Sequence, residues 1–225
     1  MGVVVVAAGS GTRLGAARPK AFVDLDGATI LQHALRGVVA FAPDELVVVV
    51  PQELLDEATA VLASVLPGGS TTGHVVAGGA ERTDSVAAGL AALSDGVSLV
   101  LVHDAARCLT PVAVFERVHR ALTAGAKGAI PALAVVDTIK VVDAASMVTS
   151  TPERGSLRAV QTPQGFDRAV LTAAHAAGAS ATDDAALVEA LGHHVIVVEG
   201  DPRGLKITTA DDLAHARRLL SFTPE

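Results

Sequence analysis

Residues 7–20 read AAGSGTRLGAARPK. Three glycines, two arginines and a lysine in so short a stretch suit one chemistry, the binding of phosphate. Gly9 and Gly11 let the backbone come close to a phosphate and turn its N–H groups inward. Arg13 can grip phosphate oxygens through its planar fork, and Lys20 supplies a compact positive charge. Two familiar phosphate loops are excluded. Walker A needs Lys and then Ser or Thr after its last glycine, but Gly15 is followed by Ala16. The dinucleotide pattern G-x-G-x-x-G would need its third glycine where Leu14 stands.

The same residue types recur further along, in GGAERTDS (78–85), DAAR (104–107) and EGDPRGLK (199–206). Each segment follows a short Val-rich run. The runs Val3–Ala7, Glu45–Val50, His74–Ala77, Leu99–His103 and Val195–Val198 read as strands buried on both faces. Between them, Ile30–Ala40, Leu54–Leu66, Arg82–Leu93, Val112–Thr123, Arg168–Ala177, Asp183–Leu191 and Ala210–Leu220 carry helical patterns. Thr182 and Thr209 are expected N-caps, each followed by aspartates that suit a helix N-terminus. Alternating strands and helices imply an α/β fold: a mostly parallel central sheet with helices on both faces. Ligands of such sheets bind beyond the carboxyl ends of the strands. The glycines, arginines and lysines above, with Asp104, are therefore expected along one rim.

Composition narrows the function. The chain has 225 residues, half of them hydrophobic, enough for one full core, and it is expected to form a single domain over 1–225. Five Phe, no Tyr and no Trp leave few faces for base stacking, and a net charge of -7 repels polyanions. Nucleic acid is not an expected partner. A single cysteine, Cys108, fits a reducing, cytoplasmic setting. No run reaches the ~20 apolar residues of a membrane span. There is no Ser–His–Asp arrangement, no HExxH and no Cys/His ligand pattern, and His193–His194 lacks metal-ligand spacing. Residues 134–160 break the rhythm with a β-like pattern and a turn at 143–146, which suggests a projecting β-arm. A hairpin this long seldom holds without a partner surface, and a second subunit would supply one.

Taken together, AAGSGTRLG…RPK, GGAERTDSV, LVHDAAR, VDTIK, QTPQGF, ATDDA and GLKITTADD resemble the motifs of the 2-C-methyl-D-erythritol 4-phosphate cytidylyltransferases, within the sugar- and polyol-phosphate nucleotidyltransferases. The likeness runs from about Val3 to Asp212. It implies a Rossmann-like nucleotidyltransferase fold, a homodimer, Mg²⁺, and attack by the phosphate of methylerythritol phosphate on the α-phosphorus of CTP. It implies that Arg13 and Lys20 grip the triphosphate, and that Arg154 and Lys206 complete the catalytic set. Ala7, Ala8, Gly9, Gly11, Gly79, Ser85, Asp104 and Ala105 would hold the nucleotide, with Asp104 also near the metal. Arg107, Thr138, Thr162 and Thr182 would hold the alcohol phosphate. Arg154, on the arm, would reach the neighbouring subunit's site. Ala80 and Cys108 depart from the pattern, standing where an acidic residue and a proline are usual. A cytidylyltransferase for another polyol phosphate, such as ribitol 5-phosphate, is the alternative, and the two differ at Thr138, Arg154 and Thr162. A catalytically silent nucleotide binder would have no need of Lys206, and the misplaced glycine speaks against a dinucleotide-dependent oxidoreductase.

Overall fold

The valine runs alternate their side chains between two helical layers. In β1 (Gly2–Val6), Val3 and Val5 face one layer and Val4 the other, all fully buried. Full burial of each such side chain is worth about 2 kcal/mol. A computed structural model describes residues 1–9, 14–15, 18–66, 68, 70–178 and 181–221 of the chain. After β1 come a short hairpin of β2 (Asp24–Leu25) and β3 (Ala28–Thr29), then α1 (Ile30–Phe41), β4 (Glu45–Val50), α2 (Leu55–Val65) and β5 (Thr72–Ala77). There follow α3 (Arg82–Ala91), β6 (Leu99–Asp104), α4 (Val112–Thr123) and β7 (Gly128–Ala134). An excursion of β8 (Val141–Val142), β9 (Val148–Ser150) and β10 (Arg158–Val160) leads to β11 (Gln164–Asp167). The chain then forms α5 (Arg168–Ala176), α6 (Asp184–Ala190), β12 (Val195–Glu199) and α7 (Ala210–Ser221).

The central sheet has eight strands in the order β10-β7-β11-β6-β1-β4-β5, with β12 pairing β7. Strands β6, β1, β4 and β5 are mutually parallel, as are β7 and β12. Strand β11 runs antiparallel between β6 and β7. One face of the sheet packs on α1, α2, α4 and α7 through Ile30, Leu35, Leu62, Phe115 and Ala216. The other packs on α3, α5 and α6 through Val86, Leu90, Leu171 and Val188. This is a mostly parallel α/β fold with helices on both faces. No helix among the described residues is long and apolar enough to cross a membrane.

The expected strands and helices form to within two residues of their expected ends. Two strands of the sheet are not expected from the sequence, β7 and β11. Within β7, Pro131 interrupts the ladder donors that a central strand normally supplies. In β11, QGFD offers one large apolar side chain and no alternation. One expected cap moves: the residue whose side chain accepts from the first turn of α6 is Asp183, bonded to the Ala186 N–H at 3.0 Å, and Thr182 is exposed before it. Thr209 does accept from the Asp212 N–H, while the Asp212 carboxylate accepts from the N–H groups of Thr208 and Thr209. The β8–β9 hairpin closes at Asp143–Ser146 and stands away from the core, with Val136, Val142, Met147 and Val148 more than half exposed.

Candidate active site

The carboxyl ends of β1, β5, β6 and β12 lie along one rim of the sheet. Because β11 is antiparallel, its first residues join that rim beside the end of β6. Glycines allow the strand exits to meet. A Cβ on Gly78 would lie 2.6 Å from the Ala8 Cβ and 2.7 Å from the Ser85 Oγ, so the exits of β1 and β5 approach as only glycine permits. Ser85, buried on α3, accepts from the Gly79 N–H at 3.2 Å and donates to the Glu81 carbonyl. Glu81 and Asp84 cap α3 reciprocally, which fixes where Arg82 leaves the helix.

Two cavities open on this rim. The first, about 180 Å³, is lined by Ala7, Ala8 and Gly9 from the end of β1, by Lys20, by Gly79 and Ser85, and by Asp104 and Ala105. The second, about 210 Å³, is lined by Arg107, Gln161, Thr162, Gln164, Thr182 and Asp183. Arg82, Asp104 and Lys206 line both and form the wall between them. Ala80, the departure noted in the sequence, lines the first cavity with a methyl group.

Electrostatics on that wall are tightly arranged. The Lys206 ammonium sits 2.8 Å from one oxygen of Asp104, and the Arg82 Nε lies 3.3 Å from the other. Arg82 also donates at 2.8 Å to Asp184, which is fully buried and bonded to His175 Nε2 at 3.0 Å. Burial works to raise the Asp104 carboxyl, but the charges of Arg82 and Lys206 outweigh it and hold the group well below the usual carboxylate range. The Thr162 hydroxyl accepts from the Asp104 N–H at 3.0 Å and shares a 3.0 Å hydrogen bond with His103 Nδ1. Arg107 donates to the Gly204 carbonyl at 2.7 Å and to the Val160 carbonyl at 3.1 Å. Burial draws its pKa down from the ordinary arginine value, against the opposing pull of the Asp104 charge.

Of the residues singled out in the sequence, Ala7, Ala8, Gly9, Lys20, Gly79, Ser85, Asp104, Ala105 and Lys206 come together in the first cavity, and Arg107, Thr162 and Thr182 in the second. Gly11 and Arg13 lie outside the described residues. Thr138 and Arg154 lie exposed on the arm, Arg154 donating to the Val136 carbonyl at 2.7 Å, and neither lines either of these two cavities. Sequence reasoning gave no role to Arg82, Gln161, Gln164 or Asp184. One signal existed for Asp184: Asp183 alone satisfies the cap of α6, which leaves the second carboxylate of ATDDA without a local purpose. Cys108 is buried, and burial pushes its thiol up to about 12, which makes it an inert small side chain.

For a divalent cation, Asp104 is the carboxylate on the shared wall, already between two cations, while Glu81 lines the first cavity alone and Asp183 the second alone. Among the described residues no three His, Cys, Asp or Glu side chains converge on a metal position. That donor set fits an ion whose other ligands are phosphate oxygens and water, and does not fit an all-protein cage.

Comparison with known proteins adds to this geometry. The family model IspD, 2-C-methyl-D-erythritol 4-phosphate cytidylyltransferase, matches residues 1–221. The protein of that name from Rhodococcus jostii is 54% identical over 219 residues, covering 96% of this chain and 93% of the relative. The crystal structure of 4-diphosphocytidyl-2C-methyl-D-erythritol synthase from Anaerococcus prevotii superposes with a TM-score of 0.85 at 29% identity, over 98% of this chain and 97% of that one. The cytidylyltransferase structure from Thermus thermophilus gives 0.76 at 34% identity, over 97% and 98%. By the family match, the identity of its relatives and the shared fold, the chain belongs to the 2-C-methyl-D-erythritol 4-phosphate cytidylyltransferase family.

Proposed function

We propose that this enzyme transfers the cytidylyl group of CTP to 2-C-methyl-D-erythritol 4-phosphate, giving 4-diphosphocytidyl-2-C-methyl-D-erythritol and pyrophosphate. Family membership carries the reaction, and one structural observation carries its location: two cavities that share a wall of Arg82, Asp104 and Lys206. CTP occupies the cavity of Ala7–Gly9, Gly79 and Ser85, with its triphosphate toward Lys20 and Arg13. The methylerythritol phosphate occupies the cavity of Arg107, Thr162 and Thr182. The two reacting groups then meet at the shared wall.

An oxygen of the alcohol phosphate attacks the α-phosphorus in line. The new P–O bond forms as the bond to the β-phosphate oxygen breaks, and pyrophosphate carries the electron pair away. No protein nucleophile is required, so catalysis is positioning and charge neutralisation. Lys206, held by Asp104 between the two cavities, offsets the repulsion of the approaching anions, and Lys20 with Arg13 offsets charge growing on the leaving group. Asp104 would hold a magnesium ion, which would supply further neutralisation of that leaving group. The Nε of Arg107 is buried without an acceptor among the described residues. An oxyanion in the second cavity satisfies it once the guanidinium turns. Arg154 and Thr138 serve the site of a second subunit, and the enzyme works in the cytoplasm as a homodimer.

The test is pyrophosphate release by the pure protein with Mg²⁺, CTP and methylerythritol phosphate, set beside ribitol 5-phosphate. Release with the first alcohol and not the second is the expected result. Release with ribitol 5-phosphate alone would transfer the enzyme to the alternative substrate.

A further inference from the structure

Lys206 has a long, flexible side chain on a loop, and its usefulness depends on how that loop is held. The loop after β12 is tied down through its backbone. Arg117 donates to the carbonyls of Glu199 and Gly200, at 2.7 and 3.2 Å. The Ile207 N–H closes the far end on the Ala106 carbonyl at 2.9 Å. Between these ends stands one buried amide, Gln161, only 5% exposed. Its Nε2 donates to the Asp201 carbonyl at 2.9 Å, and its Oε1 accepts from the Asp201 N–H at 3.0 Å. Both backbone groups of one loop residue are therefore read by one side chain, and these partners fix which way the amide points. Two glycines make room for it. A Cβ at Gly200 would lie 2.4 Å from the Gln161 Oε1, and one at Gly204 would lie 3.2 Å from its Nε2. Gln161 is itself pinned, its N–H donating to the Pro131 carbonyl of β7 at 2.8 Å. The next residue is Thr162, which holds the Asp104 N–H. A two-residue segment thus fixes both members of the Lys206–Asp104 pair.

We propose that Gln161 is a positioning residue that sets the Lys206 ammonium between the two cavities. The inference rests on the reading of Lys206 given under the proposed function. Arranging the amide against both Asp201 backbone groups keeps the loop from sliding along β7, and a displacement of about 1 Å at the lysine costs up to ~10²-fold in rate.

Gln161→Glu is the sharpest probe. It keeps size and the acceptor for the Asp201 N–H, but turns a carboxylate oxygen on the Asp201 carbonyl. The expected result is a fall in kcat of about tenfold or more, with the KM for CTP changed less than about twofold. The same substitution placed in a Lys206→Ala background is expected to lower kcat further by less than about twofold, because the group it positions is gone. Should Gln161→Glu fail to fold, Gly200→Ala displaces the same amide and enters the same cycle. Equal losses in both backgrounds, or no loss in the wild-type background, overturn the inference and leave the site reading intact. A Lys206→Ala enzyme with undiminished kcat overturns both together.

Discussion

His103 shows how one residue on the rim couples chemistry to stability. It is the penultimate residue of β6, is 1% exposed, and packs against the Phe115 ring at a centroid distance of 4.9 Å. Burial lowers its pKa from 6.5 to about 4; the neighbouring Asp104 charge opposes that shift and the Arg107 charge adds to it. Between those two values the unfolded chain binds a proton that the folded chain refuses. Stability is therefore complete above about pH 6.5 and declines as the pH falls toward 4, by about 3 kcal/mol for this group. Urea unfolding at pH 7.5 and 4.5 should show that decline, and His103→Asn should remove most of it. An equal decline in the variant would show that His103 is not its source. Asp104 acts in the same direction at more acid pH, because its folded value lies below the unfolded one. Its contribution is present above the unfolded pKa and is lost as the pH drops through the folded one.

At the scale of the element, α3 carries Arg82 and Ser85 to the rim, and its distance from the sheet decides where they arrive. Gly89 brings it close: a Cβ there would lie 2.4 Å from Cγ1 of Val4 and 3.1 Å from Cγ2 of Val49, both fully buried. Alanine is the better helix former by about 1 kcal/mol. Yet the valines it would strike are walled in, and overpacking of this kind costs about 1–3 kcal/mol. Gly89→Ala is therefore expected to lower the stability in urea by about 1 kcal/mol. Gly37, in α1, provides the opposite case. Its Cβ would meet only the Thr110 carbonyl at 3.6 Å, an ordinary contact, and Gly37→Ala should stabilise by a few tenths to about 1 kcal/mol. Matching signs for the two variants would show that propensity outweighs the close approach of α3. Helices were legible in the sequence because a 3.6-residue pattern repeats over ten or so residues, as in Val112–Thr123. Strand β11 was not, because its four residues owe their conformation to β6 and β7 on either side.

At the scale of the whole molecule, an acidic protein gathers cations on one rim so that two anions can meet. The rim itself was readable from chain order, because carboxyl ends of parallel strands share a side of the sheet. The wall between the cavities was not. Arg82 and Gln161 acquire their roles only when α3 meets α6 and the segment before β11 meets the loop after β12, and nothing local in GGAERTDS or QTPQGF marks them. The arm is the other feature that one chain leaves incomplete. Val142 and Val148 pair across the β8–β9 hairpin, are 53% and 59% exposed, and are left uncovered by the described residues. Arg154 and Thr138 stand on the same excursion, away from their own cavities. If the hairpin docks on a second copy, exposed valines and distant polar residues have a common explanation: the docked arm completes the neighbour's alcohol pocket. Replacing both valines by aspartate places charge in that contact, at a cost that isolated burial cannot offset. Light scattering should then report half the wild-type mass. The KM for methylerythritol phosphate should rise about tenfold or more, as expected for losing a charged hydrogen bond, while calorimetric binding of CTP stays within about twofold. A wild-type protein that is already monomeric, or a monomeric variant with an unchanged KM for the alcohol, would confine each site to a single chain.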